Sequence, residues 1–439
     1  MAMNNELFIS VGIDVGADFS EMAIVLPNQV FIEKKTYRVY HNNLKSLETA
    51  IEKIKKAEET HSMKSRAFLE STGVYHFPLF CYINENGLDA YIVNPLITNS
   101  NKNMNIRKVK NDKLDARRIA LIGLNPETKV SLIPKDLVLN LRNLLREHYN
   151  LSDSKTAYVL KLNTQLRMAF PQYLGIFRDL VGKASAMVLS EYTTPESILA
   201  EKEEILVEKI AVTSRKKKSY GKAKYDLLVK AAKDALKFGH LLDSNVLLIR
   251  QSLRFISTIK LEMDELMKQM GEIVAGNPEE VFIKRIKLLE GIKGVGFLSA
   301  VGLMCEIGDF DAFKKPKQLV GYFGIDPAVN QSGNYCGSGF KMSKRGSRIG
   351  RRILYTIALQ FIGSSNGVPR NSVIKAFYLE KCKSKKKKVA LGAVMRKVCN
   401  IIFAVLRDNK PYVIKTPEQH QLEYQHAGQH QEEILKISA

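Results

Sequence analysis

Residues 8–26 read FISVGIDVGADFSEMAIVL, and this stretch decides the fold of the first third of the chain. Residues 8–14 form an apolar run that ends in a carboxylate, Asp14, which is the pattern of a buried strand. Turn residues at 15–18 lead into a second apolar run at residues 21–26. We therefore predict two strands joined by a short turn, with Asp14 at the end of the first strand.

The elements that follow this pair indicate a sheet covered by helices. The apolar pattern predicts a third strand and then alternating helices and strands, at residues 30–40, 42–59, 66–70, 75–86, 88–93 and 112–122. Three strands followed by such an alternation are the order of an RNase H-like sheet, although the spacing alone also allows other α/β folds. We expect this α/β domain to occupy residues 1–135.

Four carboxylates fall where they can meet. Asp14 and Glu70 end predicted strands, while Asp112 and Asp115 lie one turn apart and share a helix face. Four converging carboxylates suit two Mg²⁺ ions, for which Mn²⁺ can substitute, because these ions prefer oxygen ligands. The simpler alternative is that Asp14 is a turn residue and that the aspartates favour a helix N-terminus behind Asn111.

The composition indicates a polyanionic partner. The chain has 439 residues, of which 67 are Lys or Arg and 45 are Asp or Glu, for a formal net charge of +22 at pH 7. Such a charge raises the local concentration of nucleic acid or of an anionic membrane. No apolar run in the sequence reaches the length of a transmembrane helix, since the best candidate, residues 295–307, is short and carries Glu306. Nucleic acid is therefore the predicted partner.

Two further features indicate a cytoplasmic, nucleoid-associated protein. The N-terminus lacks a basic segment followed by an apolar one, as in a secretory signal. The five cysteines show neither paired metal-ligand spacing nor a disulfide framework, which fits a reducing compartment.

Residues 136–280 are predicted to be helical. Apolar residues recur near heptad spacing at residues 137–162 and again at 249–270. These stretches fit either core helices of one chain or a coiled coil that joins two subunits. Between them, residues 214–224 (SRKKKSYGKAK) fit a basic linker or the start of a helix.

The segment LLEGIKGVG at residues 288–296 has the form of a helix-hairpin-helix. In that motif a glycine-rich turn, here with Gly294 and Gly296, exposes backbone N–H groups to a DNA phosphate. The pattern is permissive, and a plain packing corner between two helices also explains it.

Residues 326–352, DPAVNQSGNYCGSGFKMSKRGSRIGRR, combine a glycine-rich loop with a basic helix. The loop fits either a grip on DNA or the carrier of a nucleophile, Ser332. A second basic block lies at residues 383–388. Phosphate contacts are predicted for the cations beside the serine, with a solvated surface as the alternative: Lys341, Lys344, Arg345, Arg348, Arg351 and Arg352.

The motifs together resemble a known family. Asp14, Glu70 and the Asp112/Asp115 pair precede GIKGVG at 291–296, YFGIDPAVNQSG at 322–333 and KMSKRGSRIGRRILY at 341–355. This set resembles the DEDD-type transposases of the insertion-sequence-110 family, which includes the Piv DNA invertase and the bridge-RNA-guided recombinases. The resemblance implies a RuvC-like domain with a metal-binding tetrad, a transposase domain at residues 281–410 and an active site assembled from both.

Carried over residue by residue, the resemblance assigns Asp14, Glu70, Asp112 and Asp115 to the tetrad and Ser332 to the catalytic serine, with Ser338 as the alternative nucleophile. It implies a homo-oligomer, dimer or tetramer, that recombines double-stranded donor and target DNA under the direction of a structured non-coding guide RNA. Two alternatives stay open: a RuvC-like nuclease that uses water, and a nucleic-acid-binding scaffold without catalysis. Residues 411–439 are predicted to be a disordered tail.

Overall fold

The computed structural model describes residues 7–70, 74–93, 98, 111–126, 128, 130–131, 135–328, 331–332, 335–336, 341–416, 418–419 and 421. The chain forms two compact units, Met1–Lys135 and Asp136–Ala439. The first unit contains a mixed sheet with helices and the second is mainly helical, which confirms the predicted α/β part followed by an α-helical part. The predicted tail lies largely outside the described residues.

Six strands form the sheet of the first unit: β1 (Ile9–Val15), β2 (Phe19–Val25), β3 (Tyr37–Tyr40), β4 (Ser65–Glu70), β5 (Asp89–Val93) and β6 (Val130–Ser131). Their order across the sheet is β3-β2-β1-β4-β5-β6. The first three strands are an antiparallel meander, and β4 and β5 run parallel to β1. This order is compatible with an RNase H-like fold.

The predicted third strand at residues 30–40 is wrong in its length, because only Tyr37–Tyr40 pairs with β2. Gln29 adopts a φ of 66° directly after β2, within a turn in which the N–H of Leu26 donates to the carbonyl of Val30 at 2.9 Å. One isolated bridge between Val25 and Phe31 follows, and the chain then leaves the sheet.

Three helices cover the two faces of this sheet. α1 (Leu44–His61) and α2 (His76–Glu85) pack on one face, where Ile13 and Leu69 of the sheet meet Ile54 of α1 in one apolar cluster. α3 (Asp112–Leu124) packs on the opposite face, over β1, β2 and β4. The face under α3 carries Asp14 and Glu70, because alternate residues of a strand point to the same side.

The second unit is built on two 34-residue helices, α4 (Asp136–Ala169) and α9 (Asp243–Gly276). They pair antiparallel within the chain: the Asn245 amide donates to Gln165 at 2.7 Å, and further along the pair the Tyr158 and Phe255 rings stack with centroids 4.8 Å apart. The heptad-like residues thus form a contact within one chain, and a contact between subunits stays a prediction.

Four shorter helices lie between α4 and α9 in sequence. They form an apolar core with the C-terminal end of α4 and the N-terminal end of α9. They are α5 (Lys183–Glu191), α6 (Pro195–Ala200), α7 (Glu203–Ser214) and α8 (Lys218–Ala235). The basic segment at residues 214–224 is therefore the end of α7, a short link and the start of α8. We call α5–α8 the helical insertion.

The C-terminal part packs on the other ends of α4 and α9. Its elements are α10 (Val281–Glu290), α11 (Phe297–Ile307), α12 (Pro316–Tyr322), β7 (Gln331–Ser332), β8 (Tyr335–Cys336), α13 (Arg348–Ile362), β9 (Ser364–Ser365), β10 (Val368–Pro369), α14 (Ser372–Ser384) and α15 (Lys387–Asp408). One continuous apolar core joins these helices to Leu145 of α4 and Met270 of α9.

The statement that no apolar run has membrane-spanning length needs correction for α15. Among the described helices this one is long and apolar enough to cross a membrane, with a mean hydropathy of 1.9 over its best window. More than half of that window is buried within the fold, as in a core helix. In the sequence, Arg396 and Lys397 in the middle of this helix divide its apolar residues into two shorter runs.

Candidate active site and nucleic-acid interface

Asp14 and Glu70 are lateral neighbours at the ends of two parallel strands. β1 and β4 pair in the register Ile9 with Ser65 through Ile13 with Leu69, and the next pair in this register is Asp14 with Glu70. Residues opposite each other in such a pair point to the same face of the sheet. Two of the four predicted carboxylates therefore share one edge and one face.

Gly12 allows α3 to lie directly against this face. A Cβ atom at Gly12 would come within 2.7 Å of Ala120 Cα, and closer still to the Ala120 nitrogen and the Ala116 oxygen. The hydroxyl of Ser10 donates to the Ala120 carbonyl at 2.6 Å. Because Ala116 lies over Gly12, the preceding turn of α3 lies over the end of β1, where Asp14 is.

That preceding turn carries the two aspartates. The Asn111 side chain caps α3 by accepting the N–H of Lys113 at 3.1 Å, so Asp112 and Asp115 both fall in the first turn. Asp115 is buried on the side facing the sheet, and Asp112 is exposed. The structure thus brings Asp115 towards Asp14 and Glu70, with Asp112 at the rim. Asp112 and Asp115 also lie where acidic residues favour a helix N-terminus, so that alternative explanation applies to both aspartates.

Arg118 forms an ion pair with Asp115, with its guanidinium 2.8 Å from Asp115 Oδ1. The neighbouring Arg117 is engaged elsewhere, because it donates to the carbonyls of Glu33 and Lys34 and lies over the Phe31 ring. Arg117 therefore fastens α3 to the segment after β2, and Arg118 supplies a positive charge at the carboxylates.

Glu21 is a third carboxylate on this face that sequence reasoning missed. It lies opposite Asp14 in the antiparallel register of β1 and β2, and it is 1% exposed. Its two oxygens accept hydrogen bonds from Thr36 Oγ1 at 2.6 Å and Arg38 Nε at 2.8 Å. The antiparallel register was the signal that could have found it, since Glu21 follows Asp14 across the turn. It is a further carboxylate beside Asp14, and its ion pair with Arg38 offsets its charge.

Ser332 lies in a short antiparallel ribbon, which consists of β7 and β8 with the flanking bridge between Pro327 and Met342 and which we call the serine ribbon. Gln331 pairs with Cys336 and Ser332 with Tyr335, while the Ser332 side chain lies outside the described residues. The residues that flank this pair on either side are also joined, because the N–H of Ala328 donates to the Lys341 carbonyl at 2.8 Å. The predicted glycine-rich loop therefore contains short antiparallel pairing at these residues.

The base of this ribbon is tightly fixed. The Ser343 backbone N–H and hydroxyl both donate to Asp326, at 2.8 and 2.6 Å. Gly324 has a φ of 64°, and a Cβ there would lie 2.7 Å from the Gly346 nitrogen. Glycine is needed at this crossing because the two backbones touch.

The six predicted phosphate-binding cations divide into two groups. Lys341, Lys344 and Arg345 are exposed and make no ion pair among the described residues, and Arg348 is 87% exposed with a 3.7 Å contact to Asp153. The other two serve the fold. Arg351 Nη1 donates to the carbonyls of Phe323 at 3.2 Å and Gly346 at 2.6 Å. Arg352 Nη1 binds Asp153 at 2.7 Å, and its guanidinium lies over the Tyr149 ring.

The second basic block lies beside the ribbon. A Cβ at Gly392 of α15 would lie 4.0 Å from the Met342 methyl group, and Lys388 is one turn before Gly392 on the same helix face. The helix α15 starts with Lys387 and Lys388, and its first turn contains no acidic residue that would offset their charge. Cations at a helix N-terminus are unfavourable, and a polyanion bound there would offset this.

The helix-hairpin-helix segment consists of α10 and α11, joined by residues 291–296. Gly294 has a φ of 105°, and its would-be Cβ lies 3.3 Å from the Phe361 ring, so this glycine is required by the turn and by packing. Gly296 is the N-cap of α11 and has no atom within 4 Å of a would-be Cβ. Only Gly296 leaves open space for a ligand, and phosphate binding here stays a prediction.

Comparison with known proteins bears on both units. A transposase family model named for the DEDD motif and IS110 matches residues 11–171, and a model described as "Transposase IS116/IS110/IS902 family" matches residues 286–378. Together these matches cover more than half of the chain and include all four predicted tetrad residues and Ser332. The chain belongs to this transposase family.

Two curated relatives of this IS110-family chain are the pilin gene-inverting proteins of Moraxella lacunata and Moraxella bovis. Each is 30% identical over 148 residues, which are 34% of this chain and 44% of the relative. The alignment thus spans less than half the length of these relatives.

Membership in a DEDD family implies a divalent metal ion. The donors fit a hard cation in kind, because Asp14, Glu70, Asp112 and Asp115 offer only carboxylate oxygen. Within the described residues, however, no group of three or more His, Cys, Asp or Glu side chains is arranged as a finished metal site. A metal at Asp115 would have to compete with Arg118 for the same oxygen.

Proposed function

We propose that this chain is a transposase that cuts and rejoins double-stranded DNA through a phosphoserine formed on Ser332. The observation that carries the proposal is the arrangement of Asp14 and Glu70, in register on one sheet face, under the helix whose first turn holds Asp115. Family membership and the exposed cations beside the serine ribbon support it.

The tetrad Asp14, Glu70, Asp112 and Asp115 would hold Mg²⁺, two ions in the full site. When bound, Mg²⁺ supplies neutralisation of the charge that develops on a phosphodiester under attack. On the protein side, Arg118 would have to give up Asp115 Oδ1 before that carboxylate could bind a metal, while Glu21 stays engaged by Thr36 and Arg38.

Ser332 Oγ would attack the phosphorus of one strand. A serine–phosphate ester forms, the bond between phosphorus and one deoxyribose oxygen breaks, and that oxygen takes up a proton. Because the ester conserves the energy of the broken bond, a hydroxyl from another DNA end can reverse the step without ATP. This agrees with the lack of a GxxxxGK[ST] motif in the sequence.

The exposed cations would hold the DNA backbone during this exchange. Lys341, Lys344, Arg345 and Arg348 flank the serine ribbon, and Lys388 lies on the adjacent face of α15. Side chains of this kind fix the position of DNA without reading its sequence. We propose that target choice is supplied by a structured guide RNA, and that the working unit is a homo-oligomer.

The test is the formation of a denaturation-resistant protein–DNA adduct. Full-length protein is incubated with Mg²⁺, DNA that contains the ends of its element and the adjacent non-coding RNA. We expect an adduct with wild type and with the matched Ser338→Ala control, and none with Ser332→Ala or Asp14→Asn. An adduct that survives in Ser332→Ala would show that another residue is the nucleophile.

A metal-dependent nuclease is the second candidate. It is favoured by the fact that the carboxylates of the first unit are brought together without any contribution from the serine ribbon. In that case water attacks the phosphodiester, and the second unit only binds. The same incubation separates the two: nicks that depend on Asp14, with no adduct at any time, would establish the nuclease.

A further inference from the structure

The helical insertion contains a basic depression. Its volume is about 400 Å³, and residues 177–179, 182–185, 213–215 and Tyr220 line it. It lies at the start of α5, between the end of α7 and the start of α8. Neither the tetrad nor the serine ribbon includes any of these residues.

Three exposed cations surround this depression: Arg178, Lys183 and Arg215. None of the three makes a side-chain ion pair or hydrogen bond to another described residue. Asp179 is the one carboxylate among the lining residues, and its Oδ1 accepts the N–H of Val181 at 3.0 Å. The depression therefore concentrates positive charge that the fold itself does not neutralise.

Other lysines of the same insertion behave differently. Lys209 pairs with Glu191 at 2.7 Å and Lys218 with Glu208 at 2.8 Å. Lys222 contacts Glu203 at 2.5 Å and Asp226 at 3.0 Å. Acidic partners are thus available a few residues away, and the three cations of the depression lack them in the described part of the chain.

The walls of the depression are held in place by further basic side chains. Lys224 Nζ donates to the Ile176 carbonyl, and Lys260 Nζ donates to the Val181 carbonyl at 2.9 Å. Lys216 lies over the Tyr220 ring at 4.2 Å. These contacts fix the backbone on each side and add positive charge around the cavity.

We propose that this depression binds a phosphate group of a nucleic-acid backbone. Like charges held close together repel one another, and a bound phosphate would relieve that repulsion. Two of the three cations are arginines, whose planar guanidinium groups match phosphate oxygens in pairs. Thr213 and Ser214 line the same cavity; the Ser214 hydroxyl already donates to the Ala211 carbonyl at 3.2 Å, and the Thr213 hydroxyl is a group that commonly contacts phosphates.

This inference shares with the proposed function only the expectation of a polynucleotide partner. It needs neither Ser332 nor the carboxylates. A binding measurement on full-length Ser332→Ala protein, in which the proposed adduct cannot form, therefore tests it separately from DNA cleavage.

The experiment compares two triple variants in that background by fluorescence anisotropy. One is Arg178→Gln/Lys183→Gln/Arg215→Gln, and the matched control is Lys209→Gln/Lys218→Gln/Lys222→Gln. Both remove three positive charges from the same insertion, but the control removes lysines that are already in ion pairs. The probes are a single-stranded RNA and a DNA duplex of equal length, each titrated at several salt concentrations.

We expect the first variant to weaken binding about 10-fold or more, while the control changes it by about 2-fold. If all three contacts are lost, the negative slope of log K against log[salt] should become shallower by about 2 for RNA or about 3 for duplex DNA. An effect on one probe alone identifies RNA or DNA as the source of the phosphate.

Equal effects of the two variants would overturn the inference, because a general charge effect would then explain the loss. A Ser332→Ala parent protein that binds neither probe would overturn both this inference and the proposed function. Circular dichroism checks that the variants fold, and the single Arg178→Gln and Arg215→Gln variants, each expected to weaken binding about 2- to 5-fold, give the same comparison if a triple variant does not fold.

Discussion

Replacing Gly12 with alanine tests how closely α3 must lie against β1. The added methyl group would come within 2.7 Å of Ala120 Cα, whereas ordinary contact begins at 3.4 Å. The neighbouring atoms are backbone atoms of α3, so no side chain can rotate away. The nearest of them, the Ala120 nitrogen, would be 2.1 Å away, so the helix must shift by about 1.3 Å to reach ordinary contact.

This shift has a cost in stability and a cost in activity. Overpacking of a core costs about 1–3 kcal/mol, and we expect the upper end because the obstructing atoms belong to the backbone. For a unit of this size that loss lowers the melting temperature by on the order of 10 °C. Asp115 moves with the helix, and a misplacement of about 1 Å in a catalytic group lowers the rate on the order of 100-fold.

Thermal unfolding followed by circular dichroism measures the first effect, and the yield of adduct at a temperature where the variant is folded measures the second. Gly271→Ala is the matched control, because this α9 glycine has no atom within 4 Å of a would-be Cβ. It should stabilise the chain by about 0.5–1 kcal/mol through helix propensity. A Gly12→Ala protein that melts like wild type and retains full activity would refute the close packing of α3.

Three further outcomes can be measured. Burial lowers the pKa of His148 below 6.5, so the folded state binds fewer protons than the unfolded state; the free energy of unfolding should fall as pH drops through 6.5, and urea titrations of His148→Leu should show a smaller dependence. Phe361→Ala removes a buried ring that packs beside Gly294 and should cost about 3–5 kcal/mol in chemical denaturation; a loss below about 1 kcal/mol would contradict this packing. Ser343→Ala removes the hydrogen bond to Asp326 and should cost about 1 kcal/mol, with faster amide hydrogen exchange in the paired arms of the serine ribbon as the direct readout.

The sequence predicted the first unit well because its signals are local. An apolar run that ends in Asp14, and another that ends in Glu70, define strand ends, and Asn111 before the two aspartates defines a helix start. Parallel pairing then places those ends together. What the sequence could not give was the third strand's true length, because the chain leaves the sheet between the bridge at Phe31 and the pairing at Tyr37–Tyr40.

The second unit was harder because its contacts are distant in sequence. Arg352 pairs with Asp153, almost two hundred positions away, and nothing in the basic run at residues 341–352 distinguishes it from exposed Arg348. Arg351 is likewise used within the fold, because it donates to the backbone carbonyls of Phe323 and Gly346. A charge pattern records that cations are clustered, but only packing decides which of them are used within the fold.

This division of cations changes how the net charge of +22 should be understood. A cation already paired with a carboxylate or a carbonyl contributes little to binding, because its partner must first be given up. Some of the cations without such partners in the described residues flank the serine ribbon, together with Lys388, and others line the depression around Arg178 and Arg215. Because each phosphate contact adds to the salt dependence of binding, the slope should follow the number of these unpaired cations and not the total charge. A polynucleotide long enough to reach both places would then show a steeper slope than one that reaches only the ribbon.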